Sequence, residues 1–349
     1  IHQMTHRFPI KEIARHAGIS TATVDRVINN RAHVSPQTKT RVARAITELE
    51  RQDHQIAMQG QQMFFDFVIE APTRFSREVK VAANAVMDQF GTAICRPRFT
   101  TQEIMLAADV VQTLDRIIKR GSHGVCLKAR DMPEIRAAVD RVVAAGIPVV
   151  TLATDIQNTA RTAYVGLDNA SAGRTAAYLI GLSLSHQTGT VLTTRSNDMF
   201  LGEQTRETAF AAALNAQHPQ LRIISSSGGG GVHYETTKSL AGMIDELDDI
   251  CAVYSMGGGN RTILDMLAHH RLVPQVFVAH DLDQDNRALI AEGRINFVLH
   301  HDLRTDMQRV FGAFLQHQNL GTTQPGPMVS AVQVITPENV PNLRMIHQI

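Results

Sequence analysis

The strongest constraint on this chain lies near its start, in the run PIKEIARHAGISTATVDRVIN over residues 9–29. Ile10, Ile13, Ala14 and Ala17 recur at helical spacing and make one apolar face. Pro9 stands where a first helical residue can lack its N–H. Gly18 stops that helix, because glycine enters the left-handed conformation without steric cost. Ser20 can cap a second helix with the stripe Val24, Val27 and Ile28. Ser35 and Pro36 open a third, with Val42, Ile46 and Leu49 as its stripe. Two short helices joined by a tight glycine turn form a helix-turn-helix. Three such stripes can close on one another, leaving the second helix free to enter a DNA major groove.

Charge agrees with that reading once it is split. Residues 1–62 hold 9 Lys+Arg and 5 Asp+Glu, a net of +4, whereas the whole chain has a net of only +1. The positive charge therefore sits at the helix-turn-helix end, as phosphate contacts require. The 349 residues exceed one domain's usual size. No run of about 18 apolar residues exists, so no membrane partner is expected. His2, His6 and Arg7 precede no apolar signal segment, which argues for the cytoplasm. Cys95, Cys126 and Cys251 are an odd, scattered set that fits reduced thiols.

Residues 50–63 are polar and glutamine-rich and read as a linker. Beyond them, strand-like runs at 64–69, 92–95, 124–127, 149–152, 163–165, 190–193, 221–225, 251–255, 276–279 and 297–299 alternate with helical patterns, the first over 76–90. That alternation implies an α/β fold with parallel sheets and right-handed crossovers. So many strands exceed one comfortable sheet, so two lobes are expected.

The run Ile13-Ala14-Arg15, Ala17-Gly18-Ile19-Ser20, Thr23-Val24, Arg26 to Asn29, then Val34-Ser35, Thr38, Val42, Ile46 and Leu49, resembles the headpiece of the LacI/GalR family of transcription regulators. From about residue 64 onward the chain resembles that family's periplasmic-binding-protein-like effector domain. The anchors are GIPVV from Gly146, YVGLDN from Tyr164 with Ala172-Gly173, Arg206 with Phe210, Ala279-His280-Asp281, and QVITPENV from Gln333. The resemblance implies an all-α helix-turn-helix headpiece (1–52), a hinge (53–63) and a two-lobed, type I, doubly wound effector domain (64–349). With three crossings, the first lobe is expected at about 64–170 plus 301–328 and the second at 171–300 plus 329–349. It also implies a homodimer on palindromic double-stranded operator DNA, controlled by a small sugar or polyol. Thr21, Ala22 and Thr23 match the family's specificity-reading positions. Arg26 is expected at a base or phosphate, and Asn29, His33, Ser35 and Thr38 at the backbone. Asp25 stands where relatives commonly carry Ser; it is expected to repel phosphate, to accept from cytosine, or to orient Arg26.

In open α/β sheets ligands bind beyond the carboxyl ends of strands. Those loops offer Phe75, Asp155 and Asn260 as effector contacts, and the family resemblance implies Arg206, Asp281 and His301 among them. Asp accepts hydroxyl hydrogens, Arg donates in a fork and Phe covers a ring's apolar face, a mix suited to a polyhydroxylated ligand. The plainer readings are an ion pair or cap for Arg206 and Asp281, and simple packing for Phe75 and His301. The glycine runs at 228–231 and 257–259 lack a phosphate-loop pattern and read as flexible loops. His300 and His301 are adjacent on a strand and point to opposite faces, so one ion cannot easily take both. No cofactor, metal or catalytic residue is expected, so a sugar-handling enzyme lacks support. A transport-type solute receptor stays open as the alternative to a DNA-binding regulator, expected to be a repressor of a carbohydrate uptake or catabolism operon.

The linker departs from the family. Relatives read roughly Leu-x-Tyr-x-Pro-Asn-x-x-Ala there and wedge a Leu into the minor groove. In this chain Leu49 and Ala57 persist, but Arg51, Asp53 and His54 replace the Tyr, Pro and Asn, and Gly60 falls on the wedge position. A hinge disordered without DNA and a weak kink on it are expected, with Met58 as substitute wedge.

Overall fold

The computed structural model describes residues 8–31, 34–57, 62–87, 89, 94–320 and 328–341. Three helices make the headpiece: α1 (Ile10–Ala17), α2 (Thr21–Ile28) and α3 (Pro36–Ala57). Gly18 turns the chain at φ +62°, in the left-handed region. Ser20 then caps α2 by accepting the Thr23 N–H at 3.2 Å, and Ser35 accepts the Thr38 N–H at 3.2 Å at the start of α3. Ile13, Ala14, Ala17, Val24, Val42, Ala45 and Leu49 close into one small core.

α3 continues to Ala57, five residues into the segment expected as the hinge, 53–63. The expectation of a disordered hinge is corrected over 53–57, and the cause is the same departure from the family. Asp53 replaces the proline that would remove an N–H from the ladder, so nothing interrupts the helix. Met58 and Gly60 lie outside the described residues.

The first lobe runs β1 (Gln62–Glu70), α4 (Thr73–Met87), β2 (Ile94–Gln102), α5 (Ala107–Arg120), β3 (Gly124–Lys128), α6 (Pro133–Ala144), β4 (Val149–Leu152) and β5 (Ala163–Leu167). The second runs α7 (Asn169–Ser183), β6 (Gly189–Thr194), α8 (Leu201–Gln217), β7 (Leu221–Ser226), α9 (His233–Ala241), β8 (Ile250–Ser255), α10 (Asn260–His269), β9 (Val276–His280), α11 (Gln284–Ala291) and β10 (Phe297–His300). The chain then returns through α12 (Leu303–His317), β11 (Val329–Ser330) and β12 (Gln333–Ile335). Two six-stranded sheets result, ordered β11-β5-β4-β3-β1-β2 and β12-β10-β9-β8-β6-β7. Every pairing is parallel except β10 with β12.

A strand is found at each of the ten runs read from sequence, with residues 92 and 93 of the second lying outside the described residues. β2 is much longer than expected and lies mostly beyond it, because its polar residues and Pro97 suit an edge strand that pairs on one side alone. Val329 and Ser330, expected in the second lobe, pair with Gly166 and Leu167 in the first sheet. The third crossing therefore falls two residues later.

Helices cover both faces of each sheet, as parallel strands require. In the first lobe, Met307, Val310, Phe311 and Phe314 give α12 a helical stripe that packs with Phe65, Phe67 and the α4 face. Phe65 and Phe314 stack with ring centroids 5.1 Å apart and planes 13° off parallel. A Cβ at Gly124 would run into the Phe314 ring, so the glycine lets α12 seat. Phe314→Ala should cost about 3–5 kcal/mol in urea unfolding followed by circular dichroism. A loss below about 1 kcal/mol would remove this ring from the lobe's core.

Candidate functional site

Two regions hold the candidates. On the headpiece, Thr21, Ala22 and Arg26 are exposed on the outer face of α2 and available to a groove. Thr23 is half-buried, and its hydroxyl lies 2.8 Å from the Ser20 hydroxyl. Asp25 is committed within the headpiece: Oδ1 accepts from the Asn29 amide at 2.8 Å and Oδ2 pairs with Arg31 at 3.1 Å. Of the three readings for Asp25, orienting Arg26 is not what the structure gives: among the described residues its ion-pair partner is Arg31. The turn after α2 brings the chain back over the helix, which no helical spacing within α2 foretells. Ser35 and Thr38 share a 2.8 Å hydroxyl contact at the α3 cap. His33 lies outside the described residues.

The second region is a cavity of about 60 Å³ between the carboxyl ends of the two sheets. The first lobe contributes Arg74 and Phe75 from the start of α4, Lys128 from the end of β3, and Ala153 and Thr154 beyond β4. The second contributes Ser196, Phe200, Glu203, Arg206, Asp281 and Asp283. Ala153 and Asp281, the first residues beyond β4 and β9, both line the cavity with φ of +63° and +64°. Non-glycine residues reach that region rarely and at a cost. Each is held by the next strand of its own sheet: the Ala153 N–H donates to Val165 at 2.9 Å, and the Asp281 N–H to Leu299 at 3.0 Å.

Arg206 is buried on α8, its Nε donating to Asn169 at 2.7 Å and Nη1 to the Met256 carbonyl at 3.1 Å. It reaches the cavity because α7 and α8 approach closely: a Cβ at Gly173 would strike the Arg206 carbonyl. Across the cavity mouth Arg74 pairs with Asp283 at 2.8 Å, joining the lobes. Burial raises Asp283 to about 6, against the Asn286 N–H and Arg74. The Asp131 N–H also donates across to Met199 at 2.9 Å, and the Gly202 N–H to Thr154 at 3.0 Å. Gly257 and Gly258 lie in the loop between β8 and α10, as expected, and both are closely packed there. A Cβ there would strike Ser196 and the Arg74 guanidinium.

Of the six expected effector contacts, Phe75, Arg206 and Asp281 line this cavity. Asp155 does not: Arg161, six residues on, takes both its oxygens at 2.5 Å and Thr151 donates to it at 2.7 Å. Asn260 donates to Asn286 at 2.7 Å and opens on a separate pocket with His233 and Arg261. His301 sits behind the wall, fully buried, with Nδ1 2.5 Å from Asp306 and Nε2 3.7 Å from Asp281. Lys128, Phe200, Glu203 and Asp283 were not singled out from sequence. Lys128 ends an apolar strand at the sheet's carboxyl edge, which was its available signal.

His301 lies at the second crossing between the lobes, just after β10, and Asp306 lies on α12 of the first lobe. Burial lowers the imidazole's pKa, but the Asp306 hydrogen bond and the charges of Asp306 and Asp281 outweigh it, for a net rise. Burial raises Asp306, and His301, Ser330 and Arg309 reverse that.

Family comparison matches residues 82–305 to the periplasmic binding protein domain and residues 9–50 to bacterial regulatory proteins of the lacI family. The HTH-type transcriptional regulator GalS of Salmonella typhimurium is 55% identical over 40 residues, 12% of this chain and 12% of that regulator. The fold is shared with a glucose-galactose binding protein of Geobacillus stearothermophilus (TM-score 0.70, 17% identity, 81% of this chain and 100% of that one). It is shared too with a solute binding protein of Burkholderia graminis in complex with D-arabinose (0.71, 17%, 81% and 97%). A putative LacI transcriptional regulator of Bacteroides fragilis gives 0.70, 16%, 80% and 98%.

A raised histidine adds stability below about pH 6.5 that fades as pH climbs through its folded value. A lowered carboxylate adds stability above about pH 4 that fades in acid. The stability gap between wild type and His301→Gln should thus be widest from about pH 4.5 to 6.5 and narrow as pH rises above that range. Chemical denaturation across that range checks it; a gap that widens with rising pH contradicts the pairing.

Proposed function

This chain belongs to the LacI family of bacterial regulatory proteins, a helix-turn-helix headpiece fused to a periplasmic-binding-protein domain, and from that premise we propose a cytoplasmic repressor of carbohydrate uptake or catabolism genes. It binds a palindromic operator as a homodimer. A small polyhydroxylated effector in the interlobe cavity controls it, and its role is binding, without catalysis. The observation that carries this reading is the pairing of two features in one chain. An exposed α2 face carries Thr21, Ala22 and Arg26, and a polar cavity lined by Phe75, Arg206 and Asp281 straddles both lobes.

Thr21 and Thr23 offer hydroxyls and methyls to base edges, and Ala22 leaves room for a thymine methyl. Arg26 donates to a base or phosphate. Ser35 and Thr38 position the backbone. Asp25 holds Arg31 and Asn29 in place beside the groove. A ligand closing the cleft rotates one lobe on the other and changes the separation of the two headpieces. Half-sites are spaced by the helical repeat of DNA, so that change alters operator affinity. Ligand and operator are then linked reciprocally.

Binding-site selection from a palindromic DNA library, followed by gel shift, tests the regulator reading against a solute receptor. Wild type should yield a palindromic consensus. Arg26→Ala should weaken binding by about tenfold or more, as loss of one base or phosphate contact does. Asp281→Ala should keep operator affinity within about twofold while losing the response to effector. No enrichment, or an Asp281→Ala protein that responds normally, refutes the respective half.

A further inference from the structure

Two cations in the cavity wall have no acidic partner. Lys128 and Arg206 both line the cavity, and among the described residues neither forms an ion pair. The Arg206 contacts, Asn169 and the Met256 carbonyl, are neutral. Lys128 donates to the backbone carbonyl of Glu70 at 2.9 Å. Its ammonium lies 3.9 Å from the Phe200 ring centre and 5.7 Å from that of Phe75. Those rings exclude water and stabilise a cation through their faces, but they carry no compensating charge.

The acids nearby are committed elsewhere. Glu70 takes Arg130 at 3.1 Å. Glu203 accepts the Ser196 N–H and hydroxyl, both at 2.6 Å. Asp283 takes Arg74. Asp281 is 31% exposed, points toward His301 at 3.7 Å, and keeps acceptor capacity open to the cavity. Burial lowers the Lys128 pKa, and the Arg206 charge adds to that; Glu203, Glu70 and Asp281 attract the ammonium at longer range without reversing the shift. A buried ammonium left this way gains most from an anion that arrives with the ligand.

We propose that the cleft takes an anionic polyhydroxylated ligand, a sugar acid or a sugar phosphate, whose charged group lies against Lys128 and Arg206 and whose hydroxyls Asp281 accepts. Phe75 and Phe200 cover the apolar face of its carbon skeleton. This rests on the effector reading of the cavity given above. A carboxylate and a phosphate share the chemistry that Lys128 and Arg206 recognise.

The test is calorimetric titration of the full chain with matched sets at equal ionic strength. The sets are D-glucose with D-gluconate, D-glucuronate and glucose 6-phosphate; D-galactose with D-galactonate and D-galacturonate; and D-ribose with ribose 5-phosphate. In at least one set an anion should bind about tenfold or more tightly than its neutral parent, the cost of leaving one buried charge unpaired. The acid and phosphate arms distinguish the two sources of charge. Lys128→Met, similar in volume, should abolish that preference and leave the melting temperature of the free protein no lower than wild type. A neutral sugar binding as tightly as its anions overturns the charge inference and leaves the effector cleft standing. A preference that survives Lys128→Met overturns the role of Lys128. No binding by any member of the sets overturns both the inference and the sugar reading beneath it.

Discussion

Asp306 is the contact on which the two lobes depend. The chain passes between lobes three times: at Asp168, at His301 and Asp302, and after Ser330. Asp306 Oδ2 holds His301 at 2.5 Å, and Oδ1 accepts the Ser330 hydroxyl at 2.9 Å and Arg309 at 3.2 Å. The Ser330 carbonyl in turn accepts the Asp168 N–H at 3.2 Å. One buried carboxylate thus ties all three crossings into a single knot. Two of the crossings are also helix starts, where Asp168 caps α7 and Asp302 caps α12. The hinge is rigid at its root because every polar atom named here has a partner in low dielectric, where breaking one is costly.

The cavity sits one residue in front of that knot. His301 turns Nδ1 to Asp306 and Nε2 toward Asp281, whose backbone is held in the left-handed region. Among the described residues Nε2 has no hydrogen-bond partner, so a small movement of Asp281 would be felt directly by a buried imidazole. At the opposite lip Arg74 and Asp283 clasp the lobes over Gly258. In the function proposed above, a ligand is held between that root and the charged clasp. Its contacts with both lobes decide how far the clasp closes, which is the differential interaction any population shift requires.

Much of this was legible in the sequence, for physical reasons that also explain the omissions. Helix caps and apolar periodicity are local, so the headpiece and the ten strand runs could be read directly. β2 was under-read because an edge strand with Arg96, Pro97 and Arg98 carries no continuous apolar run. Arg206 and Asp281 stand where the family resemblance put them, at the cavity. Asp155 looked equivalent, but a neighbour six residues away captured it, and ion-pair choice is not set by spacing. Lys128 escaped notice because a lysine after an apolar strand ordinarily reads as solvated. Its burial depends on Phe75 and Phe200, brought from far along the chain in both directions.

The central claim is that the cleft and the DNA-reading face share one equilibrium. Reciprocal linkage tests it most directly. Operator affinity is measured by fluorescence anisotropy with and without a saturating compound that binds the cleft, and that compound's affinity is measured with and without operator at the same salt. The account predicts that both affinities change by the same factor, about fivefold or more. Operator affinity that is unchanged at saturating ligand would contradict it.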